Sequence, residues 1–224
     1  MAATVWLFFL GVLAAVLVLA AAVLGILCLR TASARRRERN TLKQMAAAFA
    51  RTVDNKDMFT RGHAQRTADC AVKIGRKMRF PDLDGLYYAA LLHDIGKVGI
   101  PVSLLQKLDR LTVDERRLVE SHPKKGAAIL KEITGIPHIA DGALYHHEQY
   151  DGTGYPDGKA GEEIPLVARI ICVANAYDAM SNDRAYREAL SREEMVGELM
   201  RGSGTRYDPD VVNAMIKVLA EEAG

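Results

Sequence analysis

The sequence predicts an all-α fold, a bundle of amphipathic helices preceded by one N-terminal transmembrane helix. An uncharged apolar run opens the chain, apolar residues then recur at three- and four-residue steps, and strand-like alternation is nearly absent. The chain has 224 residues and its first charged residue is Arg30, which leaves the length of one globular domain behind the apolar leader. Hydrophobic residues at 49% beside charged residues at 26% argue against a disordered chain. A net charge of +2, from 30 basic and 28 acidic residues spread along the chain, gives no ground for a nucleic-acid polymer as partner. Cys28, Cys70 and Cys172 are odd in number and far apart, so neither a disulfide framework nor a zinc knuckle is implied.

The leader between Val5 and Leu29 runs without a charge and, as a helix, exceeds the roughly 30 Å hydrocarbon core of a bilayer. Its length and the uncharged Met-Ala-Ala-Thr start favour an uncleaved anchor over a signal peptide. Arg30, Arg35, Arg36, Arg37 and Arg39 follow at once, which places the C-terminal side in the cytoplasm, with the anchor in the inner membrane. A helix is expected from Asn40, where Leu42, Met45, Phe49 and Val53 form a narrow apolar stripe. That stripe fits either a short stalk pairing two copies into a homodimer or a face packed on the domain behind it. Helices are expected from Gly62 to Met78, after Pro81-Asp82, and from a Thr112/Glu115 capping box through Ile133; Ser191 and Glu194 repeat the capping device. The run ARIICVANAYDAM reads as a buried helix on its length and alanine content. A Gly-rich loop occupies about Tyr150 to Ile164. The expected organisation is an anchor over 1–29, a basic juxtamembrane segment and linker helix over 30–53, and one domain over 54–224.

The histidines carry the chemistry. His63, His93, His122, His138, His146 and His147 all lie behind the leader, and two groups are adjacent to an acid, His93-Asp94 and His146-His147-Glu148. His138, in IPHIA, reads as structural. Neutral imidazoles gathered with a carboxylate from separate helices suit first-row divalent metals, and the absence of zinc-finger spacing favours a catalytic over a structural site. Five histidines and Asp94 are enough for two ions, because a carboxylate can bridge while imidazoles fill the ends.

HDIGKVGIP, HHEQYDGTGYPDG and NAYDAMSNDRAYR, in that order, with TRGHAQR ahead and SHPKKGA between, resemble the HD-GYP family over roughly Asp54 to Gly224. The resemblance implies an HD-type helical bundle with a GYP loop, a bacterial cyclic di-GMP phosphodiesterase, and iron or manganese as the ions. Carried over residue by residue, it gives the first metal His63, His93, Asp94 and the position of Asn175, and the second His122, His146 and His147, sharing Asp94. Asp94 and Lys97 become the catalytic candidates, with Lys97 holding a phosphate oxygen or helping the leaving group. Arg184 and Arg187 match positions that grip the phosphates, and Gly154, Tyr155 and Pro156 form the named loop, where Tyr155 offers a ring to a guanine or to a helix.

Two departures refine this expectation. Phe59 stands where trinuclear members carry a glutamate ligand, so two metals are expected at most. Asn175 stands where the family pattern has aspartate, so the first site should hold its cation less tightly, and Asp178, one turn on, is a candidate substitute. The implied reaction is hydrolysis of cyclic di-GMP to linear pGpG, with further cutting to GMP left open. Two other readings stay in view. One is a catalytically silent module that binds cyclic di-GMP or a protein, the other an HD hydrolase of another cyclic dinucleotide.

Overall fold

The computed structural model describes residues 2–56, 62–183 and 188–222; the side chains at 2–5, 7–9, 12–16, 18 and 20 lie outside that description. Among the described residues the chain is all-helical, with a single bridge between Ser203 and Tyr207 and no strand. It divides into two compact units, Met1–Met45 and Ala46–Gly224.

The described residues of the first unit are all helical and belong to helix α1, Ala2–Asp54. Among the described residues no helix is long and apolar enough to cross a membrane. The transmembrane helix expected between Val5 and Leu29 is therefore not supported by the structure, and many of that segment's side chains lie outside the described residues.

The second unit begins inside the last turns of α1, where Ala46, Ala50 and Val53 are buried in the core. The stripe read from the sequence divides here. Val53 is buried, but Leu42, Met45 and Phe49 are 47%, 55% and 60% exposed, because the small alanines on the neighbouring face let α1 approach the bundle closely. Next come α2 (His63–Lys77), α3 (Leu83–Leu91), α4 (Val102–Leu105), α5 (Val113–Val119), α6 (His122–Leu130) and α7 (Ile139–Tyr145). A long turn region then leads to α8 (Leu166–Ser181), α9 (Arg192–Arg201) and α10 (Pro209–Glu221).

Helix α2 packs between α3 and α8 with Ala64, Ala68, Ala71 and Ile74 inward, a three- and four-residue stripe of mostly small side chains. The ARIICVANAYDAM run is indeed a buried helix: Val167, Ala168, Ile170, Ile171, Val173 and Ala174 of α8 all lie in the core. Both capping boxes form, Thr112 with Glu115 on α5 and Ser191 with Glu194 on α9. The helix expected from Thr112 through Ile133 is broken, however, between Val119 and His122. Pro123 explains the break: it lacks the N–H that a continuous helix would donate to the Val119 carbonyl, so it stands in the first turn of a new helix, α6. This break frees His122 to turn inward.

Ile171 is fully buried and its Cδ1 lies where a side chain on Gly142 would go. Ile171→Ala should destabilise the chain by about 2–5 kcal/mol in denaturant unfolding, the range for emptying a packed aliphatic site.

Candidate metal centre

Four stretches of chain deliver the nominated residues to one place. His63 opens α2, His93 and Asp94 follow the end of α3, His122 opens α6, and His146 and His147 close α7. The HDIG glycine makes the middle of this arrangement possible. A Cβ on Gly96 would sit 1.9 Å from the His122 carbonyl oxygen and 2.5 Å from the Gly126 nitrogen, so only glycine lets the 3-10 turn Ile95–Gly99 lie against the start of α6.

Three of the imidazoles are aimed by the same local device. Each donates its Nδ1–H to the carbonyl three residues earlier: His93 to Ala90 at 2.7 Å, His122 to Val119 at 2.8 Å, and His146 to Ala143 at 2.9 Å. With the proton on Nδ1, each ring presents a bare Nε2 lone pair. These Nε2 atoms converge on Asp94. His122 Nε2 is 3.2 Å and His146 Nε2 3.7 Å from Oδ1, while His93 Nε2 is 3.5 Å and Lys97 Nζ 2.7 Å from Oδ2. Asp94 thus turns one oxygen to each side.

His63 is held differently. Its Nδ1–H donates to Asp178 Oδ2 at 2.6 Å, and Arg66 clamps the same carboxylate through Nε at 2.6 Å and Nη2 at 3.1 Å. Asp178 is buried, which disfavours its charge, yet the bonds from His63 and Arg66 outweigh this and hold the carboxyl below its usual range. It is committed to orienting His63, an outer partner for a ligand rather than the substitute ligand that the sequence suggested.

The donor atoms form two groups, each within 4.8 Å: Asp94 with His122, His146 and His147, and Asp94 with His63 and His93. Burial pushes His93 down to about 4 and holds His146 well below the ordinary histidine value. Burial also opposes ionisation of Asp94, but Lys97, His93 and His122 overcome it and keep the carboxyl well below its usual range. At neutral pH His93, His146 and His147 are therefore neutral imidazoles beside a carboxylate. His93 Nε2 and Asp94 Oδ1 are buried without a hydrogen bond, and the Nε2 atoms of His122 and His146 face each other at 3.3 Å with both ring protons on the far side. Lys97 serves Asp94 Oδ2, but among the described residues the crowded imidazole lone pairs and Oδ1 are given no donor, and divalent cations are what such a nitrogen and oxygen set accepts. The residues present fit divalent metal, with their donor atoms in two groups that share Asp94.

The GYP loop is fastened to this centre. Tyr155 donates its backbone N–H to the His147 carbonyl at 3.2 Å, and its ring stacks on His147 with centroids 4.7 Å apart. Glu148 Oε1 accepts from the backbone N–H groups of Asp157 at 2.8 Å and Gly158 at 3.1 Å. Gly154 comes so near that a Cβ would lie 2.3 Å from the Gln149 nitrogen. The Tyr155–Pro156 peptide is cis. Beneath the HDIGK turn, Lys56 Nζ donates to the carbonyls of Lys97 at 3.2 Å, Val98 at 2.7 Å and Ile100 at 3.0 Å, and Asp54 accepts the Ala64 N–H at 3.4 Å.

Asn175 is half-buried on α8, three residues before Asp178, and makes no side-chain hydrogen bond among the described residues. Arg184, Arg187 and Phe59 lie outside the described residues. His138 is exposed and donates its Nδ1–H to Asp141 Oδ2 at 2.9 Å, outside both donor groups of the centre. Sequence reasoning missed Glu148 as a loop clamp, Arg66 as the partner of Asp178, and Lys56; only the position of Glu148 directly after the two histidines could have signalled any of them.

Comparison with known proteins agrees with this geometry, since residues 47–211 match the HD domain family. The chain belongs to the HD domain family. The ordered HD and GYP motifs place this HD domain in the HD-GYP branch. It is 37% identical over 180 residues to the 3′3′-cGAMP-specific phosphodiesterase 3 of Vibrio cholerae, covering 80% of the chain and 39% of that protein. It is 36% identical over 189 residues to the cyclic di-GMP phosphodiesterase response regulator RpfG of Xanthomonas campestris, covering 83% of the chain and 49% of the relative. The chain thus spans less than half the length of these relatives. Among solved structures, a cyclic GMP-AMP-specific phosphodiesterase of V. cholerae aligns with TM-score 0.63 at 22% identity over 80% of this chain and 49% of that one. An HD-GYP-type protein of Bdellovibrio bacteriovorus aligns with TM-score 0.57 at 23% identity over 70% and 51%. These two likenesses establish the all-helical HD fold.

Asp178→Asn removes the charge that pins His63 and keeps the side chain's shape. Metal affinity at the His63, His93, Asp94 group should drop about 10–100-fold, as measured by ion titration of the metal-free chain.

Proposed function

We propose that this HD domain is a metal-dependent phosphodiesterase that hydrolyses cyclic di-GMP to linear pGpG at the centre around Asp94. The observation that carries the reading is a single buried carboxylate with one oxygen toward each of two imidazole groups, a bridging arrangement for a pair of divalent ions, iron or manganese. His63 and His93 would hold one ion and His122, His146 and His147 the other. When bound, the ions supply an activated water near neutral pH and positive charge for the phosphate oxygens. The protein's own side chains do the rest. Lys97, 2.7 Å from Asp94, keeps that carboxylate ionised and stands beside the centre with a proton to give to the departing 3′ oxygen. Water adds to phosphorus as the bond to the 3′ oxygen breaks; that oxygen leaves as a hydroxyl with the Lys97 proton, and the proton given up by the water restores Lys97. Arg184 and Arg187 would grip the phosphates through their planar, two-pronged donors.

A second reading has specific support. The V. cholerae relative at 37% identity is named for 3′3′-cGAMP, so that dinucleotide is the alternative substrate. Asn175 supports a third reading, a silent binding module, because an amide brings no negative charge to the first ion. One experiment separates the three. The chain, purified without oxygen in detergent, is assayed for metal content and for cleavage of cyclic di-GMP and 3′3′-cGAMP, beside a His93→Ala, Asp94→Ala control. The expected outcome is about two ions per chain and faster cleavage of cyclic di-GMP, with turnover in the control reduced by more than the roughly 100-fold that loss of an outer partner would cause. Faster cleavage of 3′3′-cGAMP would move the substrate to that dinucleotide, and metal-replete protein that binds without cutting would favour the silent module.

The proposal extends to location. The uncharged run between Val5 and Leu29 and the arginines behind it support an inner-membrane anchor with the HD domain in the cytoplasm. The exposed Leu42, Met45 and Phe49 offer a seam for a homodimer. Fractionation should recover the chain with membranes after a high-salt wash, and deletion of 2–29 should release it to the soluble fraction.

A further inference from the structure

Of the three imidazoles that share a group with Asp94 and lie nearest the GYP loop, His147 alone lacks the anchor that aims the others. His122 and His146 are fixed by Nδ1–H bonds to the carbonyls of Val119 and Ala143, whereas among the described residues the His147 ring makes no hydrogen bond and meets three other rings. Its ring meets His122 almost at right angles at 5.0 Å and His146 at a 45° tilt at 4.2 Å, so neither is stacked parallel to it. Tyr155 is. The two rings lie 18° from parallel with centroids 4.7 Å apart. His147 is also the most open to solvent of the four residues in its group.

The loop is built to hold Tyr155 in that place. The Tyr155 N–H is donated to the carbonyl of the very residue whose ring it covers. Gly154 permits the approach, since any Cβ there would strike the backbone of 147–149. Glu148, 2% exposed, anchors the far end of the turn through the N–H groups of Asp157 and Gly158. Backbone and side chain together leave the His147 ring one plane to occupy.

We propose that Tyr155 is a positioning residue for His147, its stacked ring doing for this imidazole what a carbonyl hydrogen bond does for its neighbours: fixing the direction in which the ring nitrogen is offered to the ion shared with Asp94, His122 and His146. The inference rests on the metal-centre reading above. It assigns the GYP tyrosine to the metal rather than to a guanine base, and it requires of position 155 a flat ring, not a hydroxyl.

The test is manganese and cobalt titration of the metal-free full-length chain, wild type beside Tyr155→Phe, Tyr155→Leu, Tyr155→Met and His147→Ala, with the cobalt visible spectrum as a report on coordination. Tyr155→Phe should bind both ions as the wild type does. Tyr155→Leu and Tyr155→Met should bind one ion normally and the second about 10-fold or more weakly, with an altered cobalt spectrum approaching that of His147→Ala. Two non-aromatic variants of different shape are included so that unfolding of one, seen by circular dichroism, leaves the other to decide. Wild type that takes two ions, with a folded non-aromatic variant matching it in affinity and spectrum, would overturn the inference and leave the metal-centre reading standing. Wild type that takes no ion at the Asp94, His122, His146, His147 group would overturn both.

Discussion

The structure depends on one buried anion. Asp94 sits among bare imidazole nitrogens, and each of its oxygens faces a different set of them. Burial alone would favour the protonated acid, yet the ammonium of Lys97 and the surrounding histidines keep it ionised. The same burial keeps His93 and His146 neutral. Charge on the acid and none on the rings is the protonation state of a metal ligand set, and the fold maintains it before any ion arrives.

The aiming of these rings explains why the helices end where they do. A histidine whose Nδ1–H reaches the carbonyl three residues back takes up a backbone acceptor that the end of a helix would otherwise leave exposed. His93 does this past the end of α3, His146 at the end of α7, and His122 across the break that Pro123 imposes. Helix termination and ligand orientation are thus one event at three sites. His63 opens a helix and draws on Asp178 from α8 instead. That hydrogen bond, with the Arg66–Asp178 ion pair beside it, links α2 to α8 at the point where the centre needs them aligned.

Much of this was legible in the sequence, for identifiable reasons. Apolar spacing and capping boxes are local, so the α8 run and both capped helices were readable from a few residues each. Adjacent His-Asp and His-His pairs stood out because paired metal-binding residue types are rare in a plain core. What could not be read was pairing over distance. Asp178 with His63, Glu148 with the N–H groups of Asp157 and Gly158, and Lys56 with three carbonyls of the HDIGK turn all depend on which surfaces the fold presses together. The stripe from Leu42 to Val53 misled for a related reason. Periodicity marks the large apolar residues, but close packing of α1 on the bundle selects the small ones, Ala46 and Ala50.

Gly96 sets a gauge. Because its backbone lies directly against the backbone of His122, the separation between the segment carrying His93 and Asp94 and the segment carrying His122 is a main-chain contact with no side chain interposed. Side chains change rotamer on fast timescales and take up slack; touching main chains do not. The spacing between the two halves of the centre is therefore insulated from rotamer noise in the surrounding core, and repacking of neighbouring side chains can alter the stability of the bundle without retuning the span across which a phosphate would be held.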